Sequence, residues 1–277
     1  MVAAASSRNV SHIQQGLWRS SDIPFLEVRT TLNSASAYAP HFHQCVSIGL
    51  VLAGQTQLSC MEESHCVSEG DVVLLEPEQV HSCNPIEGQP RSYHMLYLET
   101  DWCHKVIGNH DPLKEKICFS QRVLTKPQIY HEIVGEISWH QSGKKKDQKN
   151  RLEEVLQNLL KEYSSYEMVQ ESGDKKPALQ APQNFSSEHK PLSVRYMAHQ
   201  AGYGRENFIR SFHRETGLPP GQYQQCQRLE RARVLLKNGV SIAETAQETG
   251  YADQSHFHRM FVKYFSLTPR QYQMQKE

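Results

Sequence analysis

The C-terminal third of this 277-residue chain carries one pattern twice, and no other feature narrows its possible folds as far. The first copy runs from Ser193 to Tyr223 and the second from Ser241 to Tyr272. Before a central turn Ala198, Gly202 and Tyr203 match Ala246, Gly250 and Tyr251. After it Phe208, Phe212, Leu218, Pro220 and Tyr223 match Phe257, Phe261, Leu267, Pro269 and Tyr272, with one extra residue in the second turn. Each copy reads as helix, turn, helix. The alanine suits two helices in close approach, and the glycine takes the positive φ that ends the first of them. The paired phenylalanines stand at i and i+4, one buried face of a second helix. The opposite face holds Arg205, Glu206, Asn207 and Arg210 in the first copy and Gln254, Ser255, His258 and Arg259 in the second. Arginine, glutamine and asparagine are the side chains that pair bidentately with guanine and adenine edges in a major groove. One such copy is equally well a plain helical hairpin, whereas two that agree at this many positions favour a pair of recognition units.

Between the copies Tyr223, Cys226, Leu229, Ala232, Leu235 and Leu236 recur at three- and four-residue spacing, which predicts one helix over Gly221 to Asn238. Asn238 and Gly239 supply its stop, and Ser241 with Glu244 forms a capping box for the helix that follows. A rigid connector of that length would set the two units about one DNA turn, ~34 Å, apart.

The segments RETGLPPGQY, RLERARVLLKNGVSIAETAQETGY, DQSHFHRMF and LTPRQY resemble the DNA-binding domain of the AraC family of bacterial transcription regulators. The resemblance implies that Glu206 and Arg210 in the first unit, and Gln254, His258 and Arg259 in the second, read bases. It also marks a departure. Ser266 stands where the family usually has glycine and where the first copy has Gly217. A positive φ there would cost serine about 1 kcal/mol.

The chain has 30 basic and 30 acidic residues, a balance that by itself argues against a nucleic-acid partner. The charge is unevenly placed. From Ser186 onward there are 13 Lys and Arg against 8 Asp and Glu, while the preceding residues hold 17 against 22. No apolar run approaches the ~20 residues of a membrane span and the N-terminus lacks a secretory core, so a soluble, cytoplasmic protein without a membrane partner is expected. Seven cysteines without regular pairing fit a reducing compartment.

Further upstream, short alternating runs at Ser47 to Leu52, Thr56 to Cys60, Val72 to Leu75 and Ser92 to Leu98 read as strands, with turns at Gly54, Gly70 and Gly88. Such strands suggest a small barrel or jelly roll. The order PHFHQCVSIGLVLAG, then EGDVVLLEPEQVHSCNP, resembles the cupin-type sensor domain attached to many AraC-family proteins. His41 and His43 share a face of an extended segment, and His81 opposite them would complete a set of three imidazoles. In cupin metalloenzymes a glutamate follows the second histidine by four residues. Here that position is Ser47, so neither a catalytic metal nor any cofactor is expected, although Cys45 and Cys83 are substitute ligands near in sequence. Two other roles stay open for the histidines: internal hydrogen bonding, or lining an effector pocket with Ser47, Tyr93 and Tyr97. Cys45, Cys60, Cys66 and Cys83 would make a thiol sensor or, more commonly, small buried residues.

Residues 101–168 become helical. Leu152, Val155, Leu156, Leu159, Leu160, Tyr163 and Tyr166 form an apolar stripe that fits either packing on the barrel or a dimer seam. The family resemblance favours the seam, and Lys144, Lys145 and Lys146 before it read as a solvated loop. Residues 169–191, rich in proline and polar residues, read as a flexible linker.

The sequence therefore predicts an α+β chain: a cupin-like effector-sensing domain over 18–100, a helical dimerisation segment over 101–168, the linker, and a double helix-turn-helix domain over 192–275. The expected function is a regulator, not an enzyme, that binds double-stranded promoter DNA as a homodimer under control of a small-molecule effector, with RNA polymerase as a further partner. The alternative is a metal-dependent cupin enzyme, or a metal or thiol sensor, with a helical DNA-binding domain.

Overall fold

The computed structural model describes residues 14–60, 63–108, 115–142, 151–168 and 191–274. The linker apart from Pro191, and the three consecutive lysines, lie outside the described residues. In chain order the strands are β1 (Gln14–Arg19), β2 (Leu26–Ser34), β3 (Val46–Ala53), β4 (Gln55–Cys60), β5 (Glu63–Ser68), β6 (Val72–Leu75), β7 (Ser82–Pro85), β8 (Arg91–Leu98), β9 (Glu115–Phe119), β10 (Val123–Leu124) and β11 (Ser164–Met168). The strands expected from alternation match β3, β4, β6 and β8 to within one residue at each end.

Six strands form an antiparallel sheet in the order β1-β2-β8-β3-β6-β10, and β5-β4-β7 form a second, three-stranded one. Both faces of the larger sheet are covered, so period-2 alternation sends every second residue into a different core. Val46, Ile48 and Leu50 of β3, Val72 and Leu74 of β6 and Leu96 and Leu98 of β8 pack under α1 (Thr100–Ile107), α2 (Pro127–Gln141) and α3 (Arg151–Tyr163). On the other face, Val51, Val73 and Leu75 meet Leu58, Cys60 and Val67 of the smaller sheet.

The dimer-seam expectation is corrected here. Leu152, Leu156 and Leu160 are fully buried, with Leu159 and Tyr163 nearly so, and all five belong to the core that α3 shares with the sheet. The apolar stripe is the inner face of one protomer, because the exposed rear of a six-stranded sheet needs a helical cover. Nor is the segment wholly helical: β9 pairs with β11, and β10 extends the main sheet beside β6.

The C-terminal domain consists of α4 (Val194–Gln200), α5 (Arg205–Thr216), α6 (Pro220–Lys237), α7 (Ile242–Glu248), α8 (Gln254–Phe265) and α9 (Pro269–Met274). The repeat produces α4-turn-α5 and α7-turn-α8, with α6 as the connector. Gly202 and Gly250 both adopt φ 72° in the turns. Ser193 and Ser241 cap α4 and α7 by accepting from the backbone N–H groups of Tyr196 and Glu244, each at 3.2 Å. Asp253 caps α8 in the same way. Among the described residues, no helix is long and apolar enough to cross a membrane.

Candidate functional site

Each of the second helices, α5 and α8, has one face buried and one free. Phe208 and Phe212, like Phe257 and Phe261, are at most 1% exposed. Arg205, Glu206, Asn207 and Arg210 are exposed on α5, as are Gln254, Ser255, His258 and Arg259 on α8, where they line a shallow open depression. On α5 the side chains are tied to one another. Arg205 donates to Glu206 at 2.8 Å and Arg210 to Asn207 at 2.6 Å. In the exposed setting these contacts contribute little, so both arginines are free to turn toward a groove at small cost.

A third surface of this domain, separate from the exposed faces of α5 and α8, is clamped to the sheet-rich domain. Phe42 and Val80 insert into the core of the first unit beside Phe212, Tyr223 and Cys226, while Leu17 joins the core of the second. The charged face of β2 makes the remaining contacts: Arg29 donates to the Phe265 carbonyl at 3.0 Å, and Glu27 accepts from the Tyr272 hydroxyl at 2.7 Å. Arg233 of α6 lies 3.1 Å from Glu230 and 3.7 Å from Glu27. Tyr264 donates to the Phe42 carbonyl, and Ser266 to the Tyr38 hydroxyl at 3.0 Å. One domain thus holds both recognition units and the helix between them.

The three histidines meet at this junction. His41 and His81 lie on facing segments joined by a two-way backbone pairing at 2.9 and 2.8 Å, which opposes their rings at 4.6 Å between centroids. His43 lies 5.0 Å from His41 and 5.4 Å from His81 on the same measure. All three are buried. Their Nδ1 atoms are engaged: His41 with the Ala39 carbonyl at 2.9 Å, His81 with the Gln79 carbonyl at 2.9 Å, and His43 with the Glu230 carboxylate of α6 at 2.8 Å. Burial is the main force holding the imidazoles neutral. It lowers His41 and His43 well below the ordinary range and His81 to about 4, reinforced for the first two by the neighbouring histidines. Burial raises Glu230, against the pull of Arg233.

Behind the histidines is a cavity of about 40 Å³, lined also by Arg29, Tyr38, Cys83, Arg91, Tyr93 and Met95. Of the expected effector residues His41, His43, His81 and Tyr93 line it; Ser47 and Tyr97 do not. Tyr97 stacks edge-on against His43 instead, and Ser47 turns back to the Cys45 carbonyl. Sequence reasoning missed Tyr38, Arg29, Arg91 and Glu230. Arg29 alternates with apolar neighbours along β2, and Glu230 lies within a charged helical stretch. Both patterns ordinarily mark a solvent face. The Nε atoms of Arg29 and Arg91 are buried without a partner. Cys45, Cys60 and Cys83 have thiols raised by burial, Cys60 to about 12 and Cys83 to about 11, which makes these three poor thiolates, while Cys66 of the same set is exposed.

A sheet-rich domain with an internal cavity, docked on a double helix-turn-helix whose second helices each keep one face exposed, defines the class: a transcription regulator with its own ligand-binding domain. Comparison with known proteins agrees. The family described as helix-turn-helix domain matches residues 197–275, and the one described as AraC-like ligand binding domain matches residues 29–165. The uncharacterized HTH-type transcriptional regulator YbfI of Bacillus subtilis is 28% identical over 223 residues, which cover 78% of this chain and 80% of that protein. The multiple antibiotic resistance protein MarA of Escherichia coli is 32% identical over 85 residues, 30% of this chain and 67% of MarA. A crystal structure of an apo variant of ToxT from Vibrio cholerae superposes with a TM-score of 0.53 at 14% identity, covering 91% of this chain and 97% of that one. The chain belongs to the AraC family of transcription regulators: a DNA-binding protein with an N-terminal ligand-binding domain, and not an enzyme.

Proposed function

We propose that the protein reads a specific promoter sequence in double-stranded DNA through α5 and α8, placed in successive major grooves, and that a small-molecule effector in the N-terminal domain controls this. The observation that carries the reading is the division of surfaces on the helix-turn-helix domain. The base-reading faces are open while the opposite side, including α6, is held by the sensor domain. An effector acts through that hold. The cavity is lined by the N-terminal domain alone, and His41 and His43 at its edge also meet Tyr264 and Glu230 of the DNA-binding domain, so an effector bound there acts through them and shifts the population between docked and undocked states. Two copies of the chain on adjacent sites would raise affinity by linkage. Contact with RNA polymerase would then turn occupancy into transcription.

The test begins with duplexes selected from a random pool by the full-length protein. Arg210→Ala and Arg259→Ala should each cost about 1–3 kcal/mol on the selected site and relax base preference there. Equal losses on selected and random DNA in quantitative gel shifts would make both arginines phosphate contacts and remove the base-reading assignment. Sedimentation of the full-length protein with and without the selected duplex checks the stoichiometry of two chains.

A further inference from the structure

We propose that His41, His43 and His81 bind a divalent transition metal such as zinc, and that Glu230 of the DNA-binding domain is the outer-shell carboxylate of that site. The three imidazoles offer ligand atoms that all lie within 4.8 Å of one another, every ring buried. Their hydrogen bonds are the second observation. A carbonyl oxygen carries no hydrogen, so Nδ1 of His41 and of His81 must be the protonated nitrogen, and the same holds for His43 against a carboxylate. In all three rings this leaves Nε2 as the ligating atom, oriented by an acceptor behind it, which is how ligating histidines are set up.

Size and access agree. Metal–nitrogen bonds of about 2.0–2.1 Å put neighbouring donors roughly 3.4 Å apart, so the widest pair, within 4.8 Å, closes by at most about 1.4 Å. The cavity of about 40 Å³ beside it has room for the water that would complete four-coordination. His41 also lines a separate cleft between the domains, bordered by Gln222, Met260, Lys263 and Tyr264, which gives an ion its route in. The serine at position 47 removes a fourth ligand and the catalytic role expected of one; it does not remove the three imidazoles.

Glu230 ties the metal to the second domain. A metal-bound imidazole is a stronger N–H donor, so loading tightens the bond from His43 to α6 and favours the docked state. This effect on DNA binding rests on the function proposed above, whereas metal binding stands apart from it.

The experiment uses the full-length protein stripped with chelator, titrated with zinc alone by calorimetry and with cobalt(II) by visible absorption. One zinc per chain is expected, together with the cobalt bands of a four-coordinate site. His41→Ala with His81→Ala should weaken zinc binding at least 100-fold and abolish the bands, with circular dichroism checking the fold. Glu230→Gln should keep the bands and weaken zinc 10- to 100-fold. Histidine nitrogen NMR of the unmutated protein needs no variant to fold: three Nε2 resonances should shift with one equivalent of zinc. No stoichiometric binding, equal binding by the double variant through others of the chain's 15 histidines, or an unshifted spectrum overturns the site. An unaffected Glu230→Gln overturns the outer-shell link. Zinc that binds as expected without changing affinity for the selected duplex leaves the metal site standing and removes the coupling to DNA.

Discussion

Ser266 shows a single residue serving two constraints. It ends α8 at φ 56°, where its first-copy counterpart Gly217 has φ 77°, so serine bears the left-handed strain that glycine avoids. In exchange its hydroxyl reaches Tyr38 across the domain junction. The two contributions are each about 1 kcal/mol and opposite in sign, so Ser266→Gly should change stability by less than about 0.5 kcal/mol in urea unfolding. Gly217→Ala has no such exchange. Its added Cβ would stand 3.3 Å from Val80 in the left-handed region, and a loss of about 1–2 kcal/mol is expected in the same measurement. A second residue-scale prediction concerns acid. His94 is lowered from 6.5 to about 4 by burial. Below pH 6.5 the unfolded chain binds the proton that the folded chain refuses, so stability is intact above 6.5 and declines as pH falls toward 4. Between pH 7.5 and 5 this amounts to about 1–2 kcal/mol. His94→Gln should lose that much less than the unmutated protein over the same interval; equal acid sensitivity would place the proton uptake elsewhere.

Among elements, α3 and α6 differ most from their appearance in sequence. The α3 stripe is core, so Leu156→Ala should cost about 2–5 kcal/mol and leave the sedimentation coefficient of the folded protein unchanged. A shift toward monomer without loss of stability would restore the dimer seam. In α6, Glu230 is fully buried and Arg233 has a side chain 12% exposed, each neutralising the other with help from Glu27. Removing the cation by Arg233→Ala leaves two carboxylates without it, a loss of about 3–5 kcal/mol in thermal or urea unfolding.

For the whole molecule the decisive contact is Phe42. It is fully buried, its ring 4.9 Å from Tyr223, and it belongs to the sensor domain while filling the core of the first recognition unit. Phe42→Ala should therefore cost about 3–5 kcal/mol and release one domain from the other, seen as a larger radius of gyration in solution scattering. An unchanged radius with an unchanged midpoint would mean that the polar contacts alone hold the junction.

Local patterns carried most of the fold. The duplicated phenylalanines, glycines and caps reported two helix-turn-helix units because their periodicities and positive-φ sites are properties of neighbouring residues. Alternation located β3, β4, β6 and β8 for the same reason, and the exposed faces of α5 and α8 followed as the complements of the buried ones. The cavity was legible in part: His41, His43 and His81 stood out by type and spacing, whereas Arg29, Arg91 and Glu230 looked like surface charges. Periodicity reports which face of an element is apolar, not what that face meets, so the sequence could not say whether the α3 stripe packs on the sheet or on another chain. Nor could it show that a charged strand face and a charged helix neutralise each other. Only the packing of one domain on the other decided that Glu27, Arg29, Glu230 and Arg233 are buried partners, because charge compensation between residues some two hundred positions apart leaves no mark on either neighbourhood.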